Sequence, residues 1–307
     1  MQKAQKTGSA QPVFMGAKAS SSPKGFAAAI FGAPHGTPYK GIDNRVHAEA
    51  PDAFRTALAA DAEWVDHWDF DLGHPLLQHG LKIADLGNLA TKSRNGALNR
   101  ALIETCTRHV LKAGAVPIMF GGDDSTPIPF IAGFAGSAPV TILQIDAHID
   151  WREERYGERL GFSSTMRRAS EQPHVWRIVQ AGARGIGSAR TQEVNDALKW
   201  GSHIVTARDI HQSGLNTVLQ HIPEDSGCLI SLDLDAIDIS QMPAVAYPTP
   251  GGLTYTQVTG LIEGVARKAR IAGFTMVEFV PERDPNGTAA FIAARLAANV
   301  VGRLARD

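Results

Sequence analysis

Two short apolar runs in this chain each end in alternating acidic residues. The first is TILQIDAHID at residues 141–150, and the second is SLDLDAID at residues 231–238. Apolar runs of this length predict buried strands of a parallel sheet. Because side chains two residues apart on a strand point the same way, each acidic set can point into one cavity. The two sets are Asp146, His148 and Asp150, and Asp233 and Asp235.

Carboxylates gathered in one cavity repel each other unless a cation lies between them. A pair of divalent metal ions, which prefer oxygen ligands, satisfies this requirement. Acidic turns after strands also occur as helix caps and solvated loop ends, which need no metal. The metal interpretation is favoured because the pattern occurs at two separate strand ends and includes a histidine, which caps do not require.

Composition favours a soluble α/β enzyme. The chain has 307 residues, 44% of them hydrophobic, and a net charge of −1, so it can bury a large core and has no basic field for nucleic acid. Its two cysteines, Cys106 and Cys228, do not make a disulfide framework, which fits a reducing cytoplasm. No apolar run reaches the roughly 18 residues of a membrane span, and the N-terminus lacks a signal-peptide pattern. We therefore expect a cytoplasmic protein with no membrane or nucleic-acid partner.

Strand-like and helix-like segments alternate along most of the chain. Residues 1–24 show no sustained period and predict a flexible or partner-bound arm, and residues 25–307 predict one domain. The alternation indicates a three-layer αβα domain with a mainly parallel sheet of about eight strands, whose ligand site lies at the carboxyl strand ends. Strands are predicted within residues 26–34, 81–88, 115–125, 140–146, 176–182, 202–206, 228–235 and 274–280, and the clearest helices within 98–112, 253–270 and 288–306.

A series of motifs in one order resembles the ureohydrolases, the family of arginase and agmatinase. GGDDS at residues 121–125 resembles the family's GGDHS, DAHID its DAH-x-D, and SLDLDAID its S-x-D-x-D-x-x-D. QAGARG at residues 180–185 and MVEFVPERD at residues 276–284 resemble two further family segments. The resemblance covers the chain from about Phe26 onward and implies an arginase-like fold.

The resemblance also implies two divalent ions, manganese or nickel, and hydrolysis of a guanidino compound by water that the ions activate. Glu278 would pair with the cationic guanidinium of the substrate. One ion would be held by Asp146, His148, Asp233 and Asp235. The other would be held by Asp146, Asp150, Asp233 and the residue at the family's histidine position, which here is Asp124.

Three departures from the family pattern affect this site. Asp124 replaces a histidine, so the acidic ligands carry −5 against the +4 of two divalent ions, which weakens the activation of water. A proton on Asp124 would also balance the charge. Ser163 stands where the family has a proton-shuttling histidine, and serine has no pKa near neutrality. Loss of such a group costs about 10²–10⁴ in rate.

The third departure lies downstream of SLDLDAID, where the chain reads DISQMPAVAYPTPGG at residues 238–252. Ala244, Val245 and Ala246 replace Gly-Thr-Gly, and Thr249 replaces a glutamate of many agmatinase-like members. A loop with more apolar surface predicts a changed pocket or a surface that packs against another chain.

Together the departures favour a subunit that is weakly active or inactive alone and binds one metal ion or none. The resemblance then implies a hetero-oligomer, a trimer or hexamer, in which a homologous chain carries the intact site. That arrangement resembles the metformin hydrolase type, in which nickel is the expected metal and metformin and water give guanylurea and dimethylamine. The alternative is a self-sufficient agmatinase-like, guanidinobutyrase-like or guanidine hydrolase-like enzyme with an altered metal site.

Overall fold

The computed structural model describes residues 12–305 of the chain. It contains eleven strands: β1 (Lys18–Ala19), β2 (Ala28–Ala33), β3 (Trp68–Asp69), β4 (His74–Pro75), β5 (Ile83–Asn88), β6 (Val116–Gly121), β7 (Val140–Ile145), β8 (Val175–Ala183), β9 (His203–Thr206), β10 (Gly227–Asp233) and β11 (Arg270–Val277). β3 and β4 form a separate antiparallel pair. The other nine form one sheet.

Nine α-helices accompany the strands within the described range. They are α1 (Ala50–Ala57), α2 (Gly96–Lys112), α3 (Pro127–Ala132), α4 (Thr165–Ser170), α5 (Thr191–Trp200), α6 (Ala207–Ser213), α7 (Asn216–Leu219), α8 (Tyr255–Lys268) and α9 (Thr288–Gly302). Side-chain caps start α2 and α8. Asn95 accepts a hydrogen bond from the Leu98 N–H at α2, and Thr254 and Gln257 form a reciprocal capping box at α8.

The sheet is parallel throughout, with strand order β1-β5-β2-β6-β11-β10-β7-β8-β9. Both faces are buried, which explains why the strands read as continuous apolar runs. In β6, for example, Ile118 and Phe120 pack into one apolar cluster and Met119 into the other. The first cluster is shared with α1, α8 and α9, and the second with α3 and α5. This is the predicted three-layer αβα arrangement.

The sheet has nine strands, where about eight were predicted. The additional strand, β1, has two residues, too few for a periodic pattern to be read. It lies in the described part of the predicted arm, residues 12–24, and pairs with β5. Beside it, Phe14 is buried and its N–H donates to Oδ2 of Asp85 at 3.0 Å. Residues 1–11 of the arm lie outside the described residues.

The last strand occupies residues 270–277, whereas the sequence predicted 274–280. It ends at Val277 because Glu278 has a φ of +69°, a left-handed conformation that does not continue a strand. No helix between residues 12 and 305 has both the length and the apolar character needed to cross a lipid bilayer.

Candidate metal centre

Four adjacent strands bring the predicted site residues together. β6, β11, β10 and β7 are neighbours in the middle of the sheet, and they run in the same direction. Their carboxyl ends therefore meet at one edge, as expected for ligand sites of parallel sheets. A cavity of about 490 Å³ opens there. Of the predicted residues, its lining includes Asp124, His148, Asp150, Ser163, Asp233, Asp235 and Glu278. Asp146 lies just behind this lining.

The acidic side chains form two sets that can each hold a metal ion. In one set, single ligand atoms of Asp146, His148 and Asp235 lie within 4.8 Å of one another. In the other, the same is true of Asp124, Asp146 and Asp233. Asp146 belongs to both sets, so two ions bound here would share it. Asp124, which stands in place of the family's histidine, is thus positioned with the other ligand residues.

His148 is embedded among carboxylates. Its Nδ1 lies 3.1 Å from Oδ2 of Asp235 and 3.4 Å from Oδ1 of Asp146. Burial lowers the pKa of the imidazole, but the hydrogen bonds with Asp146 and Asp235 outweigh it and raise the pKa to about 12. Burial likewise opposes ionisation of Asp235, yet the contact with His148 brings its pKa below the usual value. Positive charge is therefore favoured at this point of the cavity.

Three other aspartates of the cavity are harder to ionise than an ordinary aspartate. Burial, followed by repulsion from neighbouring carboxylates, raises the pKa values of Asp124, Asp150 and Asp233 well above the ordinary value. Oδ2 of Asp124 is also buried without a hydrogen-bond partner among the described residues. An unpartnered buried carboxylate oxygen is costly. Oxygen-rich ligands, mutual repulsion and this oxygen together fit a cluster that holds divalent cations.

Glu278 is joined to the first ligand loop. Its Oε1 accepts a 2.8 Å hydrogen bond from the Asp124 N–H, and its own N–H donates to the Gly122 carbonyl at 2.9 Å. Its Oε2 lies 3.5 Å from Nε2 of His47. Burial raises the pKa of Glu278 to about 8. A cationic partner in the cavity would favour the carboxylate form.

Backbone strain is concentrated at the cavity. Six described residues other than glycine have positive φ, and three of them line it: Asp150 (φ +44°), Ser163 (φ +71°) and Glu278 (φ +69°). Such conformations cost of order 1–3 kcal/mol and cluster at functional sites. The hydroxyl of Ser163 is buried without a described partner. Ser163 thus faces the cavity, but it offers no group that titrates near neutrality.

The outer half of the cavity is mostly apolar and includes one cationic side chain among the described residues. The loop that departs from the family pattern contributes Ala246, Tyr247, Pro248 and Thr249 to the lining, and Ile186 and Phe162 face them. The rings of Phe162 and Tyr247 stack with centroids 6.3 Å apart. The guanidinium carbon of Arg155 lies 4.8 Å from the Phe162 ring centroid, and Arg155 forms no ion pair within residues 12–305.

Sequence reasoning missed several residues that hold this site. Gln144 precedes Asp146 by two residues on β7 and hydrogen-bonds two carboxylates, and the period of two could have indicated it. Arg184 belongs to the GARG motif, and its Nη2 donates to the carbonyls of Asp235 at 2.6 Å and Thr249 at 2.8 Å. His47 ends a short 3-10 helix (Asn44–His47) and Arg155 forms an isolated bridge with Glu158, and neither segment carries a periodic signal.

The family model described as the arginase family matches residues 26–302. This chain belongs to the arginase family. The match spans every strand that supplies the cavity, from β6 to β11. It also agrees with the family resemblance carried by the GGDDS, DAHID and SLDLDAID motifs.

Individual arginase-family relatives match over most of their length. The agmatinase of Pyrococcus horikoshii is 28% identical over 257 residues, which cover 83% of this chain and 85% of that protein. The guanidinobutyrase of Pseudomonas aeruginosa is 28% identical over 222 residues, covering 70% and 69%. The proclavaminate amidino hydrolase structure from Streptomyces clavuligerus superposes with a TM-score of 0.84 at 22% identity, covering 96% and 97% of the two chains, which shows the same fold.

Proposed function

We propose that this chain is a subunit of a binuclear-metal hydrolase that cleaves a C–N bond of a guanidine or biguanide. The observation that carries the proposal is the convergence of five aspartates and a histidine from three strand ends, with Oδ2 of Asp124 lacking a hydrogen-bond partner within residues 12–305. Relatives named as an agmatinase and a guanidinobutyrase support the substrate class.

Two ions, nickel or manganese, would be held at the two acidic sets. Asp146, His148 and Asp235 would hold one, and Asp124, Asp146 and Asp233 the other, with Asp150 beside them. When bound, divalent ions supply a nucleophile at neutral pH by lowering the pKa of water. The chain itself orients the substrate, because the Glu278 carboxylate can pair with a planar guanidinium in the cavity.

Asp124 and Ser163 limit what the chain does alone. The carboxylate at position 124 brings the cluster to −5 against +4 for two ions, and the excess negative charge opposes activation of water. Ser163 cannot deliver a proton to a leaving amine near neutrality. We therefore infer that the chain is weakly active or inactive by itself, and that a homologous subunit with both histidines performs the reaction in a cytoplasmic trimer or hexamer.

The outer cavity supports a substrate whose far end carries no ammonium group. Apolar side chains and the Arg155 cation line it, and position 249 is Thr instead of a carboxylate. The dimethyl end of a biguanide would contact the Phe162 and Tyr247 rings. This chemistry agrees with metformin and water giving guanylurea and dimethylamine.

The test compares the purified chain alone with the chain mixed with a homologous subunit that keeps both histidines. Metal content is measured by elemental analysis, and product release is followed with metformin, agmatine and 4-guanidinobutyrate. We expect at most one tightly bound ion per chain, little turnover alone, and turnover on mixing. Absence of added turnover on mixing would contradict the subunit role.

A self-sufficient hydrolase is the second candidate. It is favoured by the position of Asp124, whose carboxylate lies within 4.8 Å of the ligand atoms of Asp146 and Asp233 and so completes a second metal set. Two tightly held ions together with turnover by the chain alone would establish this candidate over the subunit.

A further inference from the structure

A continuous chain of buried hydrogen bonds runs behind the acidic cluster. It begins at Ser202, next to the edge strand β9, passes through Gln180 on β8, and ends at Gln144 on β7. The exposed fractions of these three residues are 4%, 1% and 1%. Polar side chains buried this deeply in an apolar sheet require hydrogen-bond partners, and each of them has its partner in this chain of bonds.

In each of these hydrogen bonds, the residue on the Ser202 side is the donor. The Ser202 hydroxyl donates to Oε1 of Gln180 at 2.9 Å, and Nε2 of Gln180 donates to Oε1 of Gln144 at 2.5 Å. Because Oε1 of Gln144 is used as an acceptor, its amide nitrogen must face the cavity. That nitrogen donates to Oδ2 of Asp146 at 2.7 Å and to Oδ2 of Asp150 at 2.6 Å. Both N–H groups of Gln144 are thus used on carboxylates.

Gln180 also holds the loop that carries the carboxylates. The second N–H of its amide donates to the Ile149 carbonyl at 2.7 Å. Ile149 directly precedes Asp150, whose φ is +44°. The Asp150 carbonyl in turn accepts 3.1 Å hydrogen bonds from the N–H groups of Met166 and Arg167, in the first turn of α4, which follows Ser163. The bond to Ile149 therefore supports a strained conformation on which two segments of the cavity depend.

We propose that Gln144 is a positioning residue for the acidic cluster, and that Gln180 and Ser202 fix the direction in which its amide points. One neutral amide holds Oδ2 of Asp146 and Oδ2 of Asp150, which leaves Oδ1 of Asp150 for the cavity and Oδ1 of Asp146 for the His148 end of the cluster, where it accepts the His148 N–H at 2.6 Å. It does so without adding charge to an already acidic cluster. This inference rests on the proposed function in that the oriented oxygens serve as metal ligands.

The first test measures binding of Mn²⁺ and Ni²⁺ to the full chain by calorimetry. Gln144→Leu removes both donors at similar volume, and we expect metal affinity to fall by about 10–100-fold, the usual effect of losing a partner of a ligand. Gln180→Leu keeps Gln144 but frees the Gln144 amide to turn, so metal affinity should fall less in this variant. Ser202→Ala should show the smallest fall in metal affinity. Gln144→Glu, an isosteric change, provides a second variant at the same position if the Leu variant does not fold.

Thr141→Val is the matched control. Thr141 is fully buried on the same strand, and its Oγ1 has no described partner, so this variant perturbs β7 without removing a described hydrogen bond. Metal affinity in Gln144→Leu and Gln144→Glu within twofold of this control would overturn the proposal. An equal loss in Thr141→Val would also overturn it, because the effect would then be structural.

The second test needs no metal. Gln180→Leu should accelerate hydrogen exchange of the Met166 and Arg167 amides at least tenfold over Thr141→Val, since the Ile149 carbonyl is released. Unchanged exchange would overturn the role of Gln180. Absence of Mn²⁺ and Ni²⁺ binding by the wild-type chain would overturn the metal-ligand role of the oriented oxygens but not the subunit role, and the exchange data would still decide whether Gln180 positions the loop.

Discussion

The N–H of Asp124 donates a 2.8 Å hydrogen bond to Oε1 of Glu278. This bond joins the residue at the family's histidine position to the carboxylate expected to meet the guanidinium. The two residues are 154 positions apart in sequence, and they meet because β6 and β11 are neighbours in the sheet. A change at position 124 can therefore affect both metal binding and substrate pairing.

Asp124→His should raise metal occupancy from at most one ion per chain to two. The substitution reduces the charge of the acidic cluster from −5 to −4, which two divalent ions balance, and supplies a nitrogen ligand. Elemental analysis and calorimetry measure the effect. Asp124→Asn, which removes the charge without adding a ring nitrogen, is the control.

Ser163→His added to Asp124→His should then raise turnover by up to about 10²-fold. Metal occupancy unchanged from the wild type in Asp124→His would show that the aspartate at position 124 does not limit metal binding.

Arg155→Glu should shift ligand preference toward guanidines that end in an amine. Arg155 is the cation of the outer cavity, so reversing its charge should favour agmatine over 4-guanidinobutyrate by roughly tenfold, or about 1.4 kcal/mol. Ligand-induced shifts in melting temperature report this ratio even in an inactive chain. Arg159→Glu is the control, because Arg159 pairs with Glu153 outside the cavity. The same shift in both variants would point to overall charge as the cause.

Arg55→Met should destabilise the fold by about 3–5 kcal/mol, the usual cost of breaking a buried ion pair. Arg55 is fully buried, and its Nε lies 2.8 Å from Oδ2 of Asp85, the oxygen that also accepts the Phe14 N–H. Removing it leaves the Asp85 charge uncompensated. Urea denaturation measures the change. Arg45→Met, which breaks the exposed pair with Asp43, should leave the free energy of unfolding nearly unchanged. Equal effects of the two substitutions would contradict this account.

Asp238→Ala should loosen the loop that lines the outer cavity. Oδ2 of Asp238 accepts hydrogen bonds from the N–H groups of Gly251 and Gly252 at 2.9 and 3.0 Å. Hydrogen bonds from Ser240, followed by these glycine bonds, lower the pKa of Asp238 to about 2. The substitution should cost roughly 1 kcal/mol at pH 7 and speed exchange of both glycine amides.

The pH dependence of this effect has a definite sign. The pKa of Asp238 in the folded protein lies below its ordinary value of 3.8. The stabilisation that the Asp238 carboxylate adds to the folded state is therefore present above about pH 4 and is lost as the pH falls toward 2. The difference in free energy of unfolding between wild type and Asp238→Ala should therefore shrink over that interval. A difference that stays constant from pH 7 to pH 2 would exclude the carboxylate as its source.

The sequence alone determined most of the strands and the membership of the acidic cluster. The strand predicted at residues 140–146 occupies 140–145. A strand that is buried on both faces reads as a continuous apolar run, so it can be recognised from the local sequence alone. Asp146, Asp150, Asp233 and Asp235 could be grouped because period-two spacing at strand ends is also local, whereas Asp124 was assigned from the family resemblance. β1 was missed since two residues carry no period.

Only the tertiary structure decided which residues support that cluster. The Asp124–Glu278 bond and the bonds from Ser202 through Gln180 to Gln144 join segments that are distant in sequence. Strand order creates these contacts, and strand order depends on the packing of both sheet faces against the helices. A one-dimensional pattern records which side chains share a face of their own strand, but it does not record which strands become neighbours.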